Sequence, residues 1–533
     1  MRVADFFCGA GGFSEGFRQA GFEIVFAIDK WEPAINTFRG NKPNCHVLQD
    51  DVIRISRLPD DEFHILVPDT EVIIGSPPCV AFSNSNKSGN GDKSLGLELL
   101  RAYLRIVARK KFKQNSALRY WVLENVPNIQ KYIEKQYSAA DLNLDGEFCL
   151  SPINSSSGIY NAKYYGAPTN RKRFLCGEFP KPQTTHTDEA VIKLQNVLDS
   201  LGLPESRNET LITDCCYPAL IMERAMVTDH HYTYLLQPFE WQTAKRLKED
   251  KGYMGRMAFP ENLDKPARTV MATMSASSRE SMILPTPNGS YRLPTVREAA
   301  SMMSFPIDYQ FYGLSKGTKH TLVGNAVPPK MSYAVAKAMA FDAGEPIPEH
   351  YIPIHHNPDI VFNNLNSVVF EPKKEKPKRD IAKFKYHIPY LIANAFRVEL
   401  TNYHSDFDKK KFKWDVEIHY SQGKDKAHVF CPTIETERWD KQLLIKWNEF
   451  INDTVVKLCK SHNRFQELHC MSSETRIKNN DIGPFELLNL VKEYIDDTSL
   501  DGQMYISDEL PALPRIIGAG YYILDQIIAT LEK

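Results

Sequence analysis

An α/β architecture around a mostly parallel sheet is predicted by three features of the first third of the chain. Strand-like and helix-like runs alternate from the start to about residue 180. The strand-like runs are short and apolar, and several end on Gly or an acidic residue. A glycine-rich turn, Cys8 to Gly12, joins the first strand to the first helix.

Val3 to Phe7 reads as a strand, and Phe13 to Ala20 as a helix stopped by Gly21. Glu23 to Ile28 is a second strand closed by Asp29, Pro33 to Phe38 suits a helix, and His46 to Leu48 is a short strand running into Gln49-Asp50-Asp51. Val72 to Ile74 is the central strand. Gly75 ends it, and Pro77 and Pro78 fix two φ angles, so the chain leaves the sheet as a stiff loop carrying Cys79. Leu97 to Arg109 places apolar residues at 99, 100, 103, 104 and 107, a helical face. Tyr120 to Leu123 is a further strand, terminated by Glu124-Asn125-Val126-Pro127.

From about residue 183 to 290 the alternation is lost among prolines, Ser/Thr clusters and short β-like runs such as Thr269 to Thr273. Helical patterns return at Val296 to Met303 and Ser332 to Phe341. After Ala343-Gly344-Glu345-Pro346-Ile347-Pro348 a boundary is expected near residue 348. The remainder, 349–533, holds patterned runs at Val416 to His419 and Phe485 to Tyr494 together with Trp414, Trp439 and Trp447. That is enough for a small α/β core of its own.

At 533 residues the chain is too long for one core. Apolar content of 42% and charged content of 25% are those of a soluble globular protein. There is no apolar run of about 18 residues, and Met1-Arg2-Val3 leads straight into a strand, so neither a membrane span nor a leader is expected. Ten cysteines include no Cys-x-x-Cys pair, and adjacent Cys215 and Cys216 suit neither zinc nor an easy disulfide; reduced thiols and no metal are expected. A net charge of −1 requires any nucleic-acid binding to come from local basic patches. One such patch spans residues 371–430, with 14 Lys/Arg against 9 Asp/Glu. It reads either as a solvated face or as a surface for phosphates or a partner.

Cys79 stands at the carboxyl end of the central strand, where open α/β sheets place their ligand crevice. The loop Phe7-Cys8-Gly9-Ala10-Gly11-Gly12 lets a ligand approach backbone and helix N-terminus closely. It is neither the Gly-x-Gly-x-x-Gly pattern nor a P-loop. Asp29, closing the next strand, is placed to accept hydrogen bonds from ribose hydroxyls. Together these point to an adenosine-containing ligand without pyrophosphate.

Phe7 to Phe13, Pro78-Cys79, Glu124-Asn125-Val126, Arg171-Lys172-Arg173, Arg297-Glu298 and Gly324-Asn325-Ala326-Val327-Pro328-Pro329 occur in the order and spacing of the DNA cytosine-5 methyltransferases. The chain resembles that family, in its restriction–modification type, over roughly residues 1–345. The resemblance implies a Rossmann-like S-adenosylmethionine-dependent methyltransferase sheet at 1–182 plus 318–345. It implies a small irregular target-recognition domain at 183–317, and leaves the additional C-terminal α/β domain unexplained.

It further implies that Cys79 attacks cytosine C6, that Glu124 engages the ring, and that Arg171 and Arg173 hold the base carbonyl, Glu124 and a phosphate. The cofactor would contact Phe7, Gly9, Gly11, Gly12, Asp29, Trp31, Asp51, Val52, Pro78, Asn325 and Ala326. DNA would meet Ser83, Asn125, Thr169, Arg279 and Arg297. Two positions depart from the family pattern: Thr169 stands where Gln is frequent, and Lys30 separates Asp29 from the aromatic Trp31.

The implied partners are double-stranded DNA and a cognate restriction endonuclease, for a monomer in a bacterial cytoplasm, at the nucleoid. The family's tRNA-methylating branch usually carries a Cys-Phe-Thr element, which this sequence lacks. A catalytically silent DNA-binding module is disfavoured by Cys79, Glu124 and Arg173. A metal-dependent nuclease reading of Asp359, Glu371 and Lys373 is disfavoured by Pro372.

Overall fold

In the computed structural model, the described residues are 1–78, 93–249, 256–276, 278–373, 379–420, 428–435, 437, 439–496, 500, 502–504 and 512–532. They form two units, Met1–Lys373 and Lys374–Lys533.

The first unit is built on seven strands: β1 (Arg2–Phe6), β2 (Glu23–Asp29), β3 (His46–Gln49), β4 (Val72–Gly75), β5 (Tyr120–Asn125), β6 (Gly158–Asn161) and β7 (Lys172–Glu178). Their order across the sheet is β3-β2-β1-β4-β5-β7-β6. The first five are parallel, and β7 runs antiparallel to both β5 and β6. Alternate residues feed two apolar layers, as a doubly covered sheet requires. Val3, Ile74 and Val122 pack with Phe13, Phe17 and Met331 on one face. Ala4, Ile73 and Trp121 pack with Leu100, Tyr103 and Val107 on the other. The last strand expected from the sequence is Tyr120–Leu123; β7 and β6 extend the sheet beyond it, and β7 alone runs against the other strands.

The expected helices are present: Gly12–Gln19 and Val296–Met302 lie within one residue of the expected ends, and Glu32–Asn41, Ser94–Lys111 and Pro329–Ala343 extend beyond them. Lys316–Asn325 forms a helix that the sequence pattern did not announce. The Gly12–Gln19 and Pro329–Ala343 helices approach closely at Gly16, where an added Cβ would lie 2.1 Å from Ser332 Oγ and 2.4 Å from Pro329 O.

The segment expected to be irregular carries short strands and helices. Thr169–Asn170 pairs in parallel with Ala267–Arg268, so the chain entering β7 is tied to the recognition segment. Residues 269–273 are not a strand; the β-like run lies just before them, at Ala267–Arg268.

The first unit continues to Lys373, well past the boundary expected at 348. Arg18 and Gln19 donate to Ile352 O, Ile352 N donates to Gln19 Oε1, and Tyr351 donates to Asp308. Further on, Leu365 N donates to Asp229, and the Asn366 carboxamide accepts from the backbone of His230 and His231. Pro346 and Pro348 resemble a linker in composition, but the polar groups after them complete buried partners in the first unit. Asp359 and Glu371 are on exposed loops of this segment, outside any strand.

The second unit has a four-stranded antiparallel sheet: Lys385–Ala393, Phe396–Thr401, Asp415–Tyr420 and His428–Phe430. Five helices accompany it among the described residues, the longest being Lys441–Lys457. Its core gathers Val398, Trp414, Ile418, Trp447, Leu487, Leu524 and Ile527.

Candidate active site

The parallel strands deliver their last residues to one edge of the sheet. Phe7 leaves β1 with φ of 58°, a left-handed conformation rare for an aromatic residue. The turn closes through Gly11 N to Cys8 O at 2.8 Å, and Cys8 N reaches Ile28 O on β2. Gly11 and Gly12 are required by packing: a Cβ at Gly11 would meet Tyr309 Oη at 2.8 Å, and one at Gly12 would meet Val327 O at 2.2 Å. Gly9 differs. A Cβ there would find nothing within 4 Å, so the loop opens onto space beside it.

Asp29, at the end of β2, borders that space. Its two oxygens accept Gly9 N and Trp31 N, both at 2.9 Å. Burial raises its carboxyl, and those backbone donors offset part of the rise. Trp31 is 37% exposed at the start of the Glu32–Asn41 helix. Asp51 caps Ile53 N and pairs with Lys30 Nζ at 3.1 Å, and Val52 behind it is buried. Asn325 is exposed at the end of its helix, and the Ala326 methyl would lie 3.3 Å from a Cβ on Gly12. Pro78 is exposed. An open glycine loop, an acidic residue with remaining lone pairs and an exposed indole fit the adenosine half of S-adenosylmethionine.

The neighbouring strands contribute a second group. Glu124, at the end of β5, is 3% exposed. Its Oε1 lies 2.9 Å from Arg173 Nε on β7, and its Oε2 accepts Ser76 Oγ at 2.5 Å from the loop after β4. Asn125 donates to Pro77 O at 2.8 Å and so fixes the Pro-Pro loop; no base contact is needed to explain its type. Cys79 and Ser83, further along that loop, lie outside the described residues.

Three expected DNA or base contacts, Arg171, Thr169 and Arg297, are buried on protein partners, and Arg279 stays on a loop. Arg171 is 2% exposed and donates to Val270 O, Gly324 O and Ala326 O at 3.1, 2.9 and 3.0 Å. It clamps the lip carrying Asn325 to the recognition segment, and among the described contacts Arg173 is the one of the pair found on Glu124. Thr169 is fully buried, with its hydroxyl on Arg268 O at 3.2 Å. Arg297 is also fully buried, donating to Thr228, Pro306 and Tyr309, so it holds the recognition segment together and is closed to DNA. Arg279 is half-buried on a loop whose carbonyls at 279 and 281 accept Lys248 Nζ at 2.9 and 2.5 Å. Lys248 itself is buried, which lowers its ammonium to about 8.

Asp5, Ser76 and Lys248 carry no sequence motif but are held at or near the site by the fold. Asp5, on β1 beneath the glycine turn, accepts Ser14 Oγ at 2.5 Å. Burial pushes its carboxyl from 3.8 up to about 7, with Lys42 opposing and Asp29 reinforcing. Between those values the folded protein holds a proton that the unfolded chain has lost, so stability falls as pH rises through the window. Asp5→Asn removes this titration. The variant's melting temperature is expected to fall less between pH 5 and pH 8 than that of the wild type, by thermal denaturation. Equal falls would place the Asp5 charge elsewhere.

Asp214, Cys215 and Cys216 bring ligand-type atoms within 4.8 Å of one another. The Asp214 oxygens already accept backbone N–H from Cys216, Tyr217 and Ile307.

A parallel sheet that brings an open glycine turn, Asp29 and a buried Glu124–Arg173 pair to its carboxyl edge has the arrangement of a group-transfer enzyme. The profile of the C-5 cytosine-specific DNA methylases matches residues 1–340, and the chain belongs to that family. The type II methyltransferase M.MthTI of Methanothermobacter thermautotrophicus is 30% identical over 360 residues, covering 64% of this chain and 98% of that protein. M.HgiDI of Herpetosiphon aurantiacus is 28% identical over 354 residues, covering 65% and 96%. M1.HphI of Haemophilus parahaemolyticus is 28% identical over 360 residues, covering 64% and 86%. Among the described residues no helix is long and apolar enough to cross a membrane.

Proposed function

We propose that this DNA cytosine-5 methyltransferase uses S-adenosylmethionine to modify a flipped-out cytosine in one short DNA sequence, as the modification half of a restriction–modification pair. The observation that carries this reading is the Ser76–Glu124–Arg173 group beside the open Gly9–Asp29 cradle.

The chemistry sets what each residue must do. Cytosine C5 is too weak a nucleophile to accept a methyl group unaided. The Cys79 thiolate adds to C6 and makes C5 enamine-like. Glu124 engages N3 and the exocyclic amine as electron density moves into the ring, and Arg173 holds that carboxyl in place. S-adenosylmethionine, when bound, supplies the methyl group from its sulfonium. Loss of the C5 proton then expels the thiolate from C6 and restores the ring. A stacked base cannot reach these groups, so the cytosine leaves the duplex. Residues 183–317 select the sequence, with Arg279 as the candidate reader, and the second unit adds contacts to the phosphate backbone.

Incubation of the full chain with tritiated S-adenosylmethionine and mixed DNA and tRNA tests the reading. Label is expected in DNA, with bisulfite sequencing placing it in one short motif. Label confined to tRNA overturns the substrate, and cofactor binding without transfer to either overturns the activity.

A further inference from the structure

Glu124 has two described side-chain donors, and they differ in kind. Arg173 can only donate. Ser76 carries a hydroxyl, which donates to a carboxylate but can rotate and accept from a carboxylic acid. The register of the sheet creates the contact: Gly75 on β4 lies beside Leu123 on β5, which sets the next residues, Ser76 and Glu124, side by side. Ser76 is held from below, its N–H reaching Phe6 O on β1 at 3.2 Å. The following residue is held too, since Pro77 O accepts Asn125 Nδ2. The hydroxyl therefore hangs from a fixed backbone, 2.5 Å from Glu124 Oε2.

We infer that Ser76 is a positioning residue for Glu124, its reversible hydroxyl keeping the carboxyl oriented through both the ionised and the protonated state of the reaction. This rests on the proposed role of Glu124. With Arg173 alone, Glu124 is held firmly only while ionised, and the carboxyl can turn once it carries a proton. With Ser76, Oε2 keeps a partner in either state, and Oε1 stays on Arg173. No backbone donor could do this, because an N–H cannot accept. A serine that merely fitted the turn after β4 would be replaceable by alanine without effect on the chemistry.

The experiment uses the full-length protein with Ser76→Ala and Ser76→Thr. Single-turnover methyl transfer to DNA and covalent trapping on 5-fluorocytosine DNA are measured beside cofactor affinity, DNA affinity and melting temperature. Ser76→Ala is expected to slow transfer and trapping together by about 10- to 100-fold, less than the about 10²–10⁴-fold contributed by a general acid or base itself, because the carboxyl stays and only its orientation is loosened. Both affinities should stay within about twofold, since binding is not what the hydroxyl serves. Ser76→Thr, which keeps the hydroxyl, should recover most of the rate.

Wild-type turnover decides the underlying activity, and the ratio of variant to wild type decides the role of Ser76. Wild-type rates in Ser76→Ala overturn the inference. So does a Thr variant as slow as the Ala variant, or a slow Ala variant whose melting temperature or DNA affinity falls in proportion. A wild-type chain that transfers no methyl to DNA overturns both readings.

Discussion

Ending the chain at Ala343 is expected to give an insoluble or non-cooperatively unfolding protein, whereas a chain ending at Lys373 folds and methylates DNA. The difference is 30 residues that a reading of the linker composition would discard. Those residues complete groups buried in the first unit. Lys319 and Asp229 form an ion pair with no exposure on either side chain. Lys319 also donates to Asn363 O at 2.5 Å, and Asp229 accepts Leu365 N at 3.0 Å. Ile354 and Leu365 enter the same apolar core as Val296 and Phe311. At the other end of the segment, Arg18 and Gln19 lose Ile352 O, and Asp308 loses Tyr351. Each polar group left buried without a partner costs about 1–3 kcal/mol. Several such losses exceed the whole stability of a typical domain, about 5–15 kcal/mol, once the apolar contacts go too. Thermal unfolding and cofactor binding of the two chains decide the matter. A 1–343 protein as stable as 1–373 would make the segment dispensable.

How far the sequence could be read follows from which interactions are local. The strand at Val72, the glycine turn and Asp29 were legible because a short apolar run, a turn and an acidic stop lie next to one another. β6 and β7 were not, since Gly158–Asn161 has no apolar run of its own and is a strand through pairing with Lys172–Leu175. The helix at Val296 is marked in the sequence by Thr295 and Glu298, which form a capping box.

Residue roles were harder to read than elements. Arg171 and Arg173 differ by two and would point the same way along one strand. Arg171 instead falls between the short strand Thr169–Asn170 and the start of β7, where the chain turns out of one ladder into another. The two guanidiniums therefore diverge, one to the Asn325 lip and one to Glu124. Arg297 and Thr169 were misplaced for a related reason: a polar residue in a recognition region reads as exposed, while their partners are backbone oxygens distant in sequence. Ser76 gave no sequence signal, because its partner lies 48 residues away, across a strand pair.

The divergence of the two arginines yields the second large effect. Glu124→Gln is expected to cut methyl transfer by about 10²–10⁴-fold, the contribution of a placed general acid or base. It should leave the fold intact, since Gln keeps the size of the side chain and can still accept from one neighbour. Arg173→Ala should lower the same chemical step while leaving cofactor binding near normal. Its stability cost is confined to Glu124, which loses its arginine but keeps Ser76. Lys172 O, on the adjacent residue, is the one further acceptor found for Arg173 among the described residues. Arg171→Ala is expected to behave in the opposite manner. It strips the donors from three carbonyls, those of Val270, Gly324 and Ala326, in a site closed to solvent. Each unpaired carbonyl costs about 1–3 kcal/mol. Melting temperature should fall steeply, and activity per folded molecule should fall mainly through the displaced Asn325 lip, read as weaker cofactor binding. Side-by-side melting curves, cofactor titrations and single-turnover rates separate the two behaviours. If Arg171→Ala melts like the wild type and binds cofactor normally, yet neither methylates nor traps DNA, Arg171 acts on the base and the clamp is the wrong account of it.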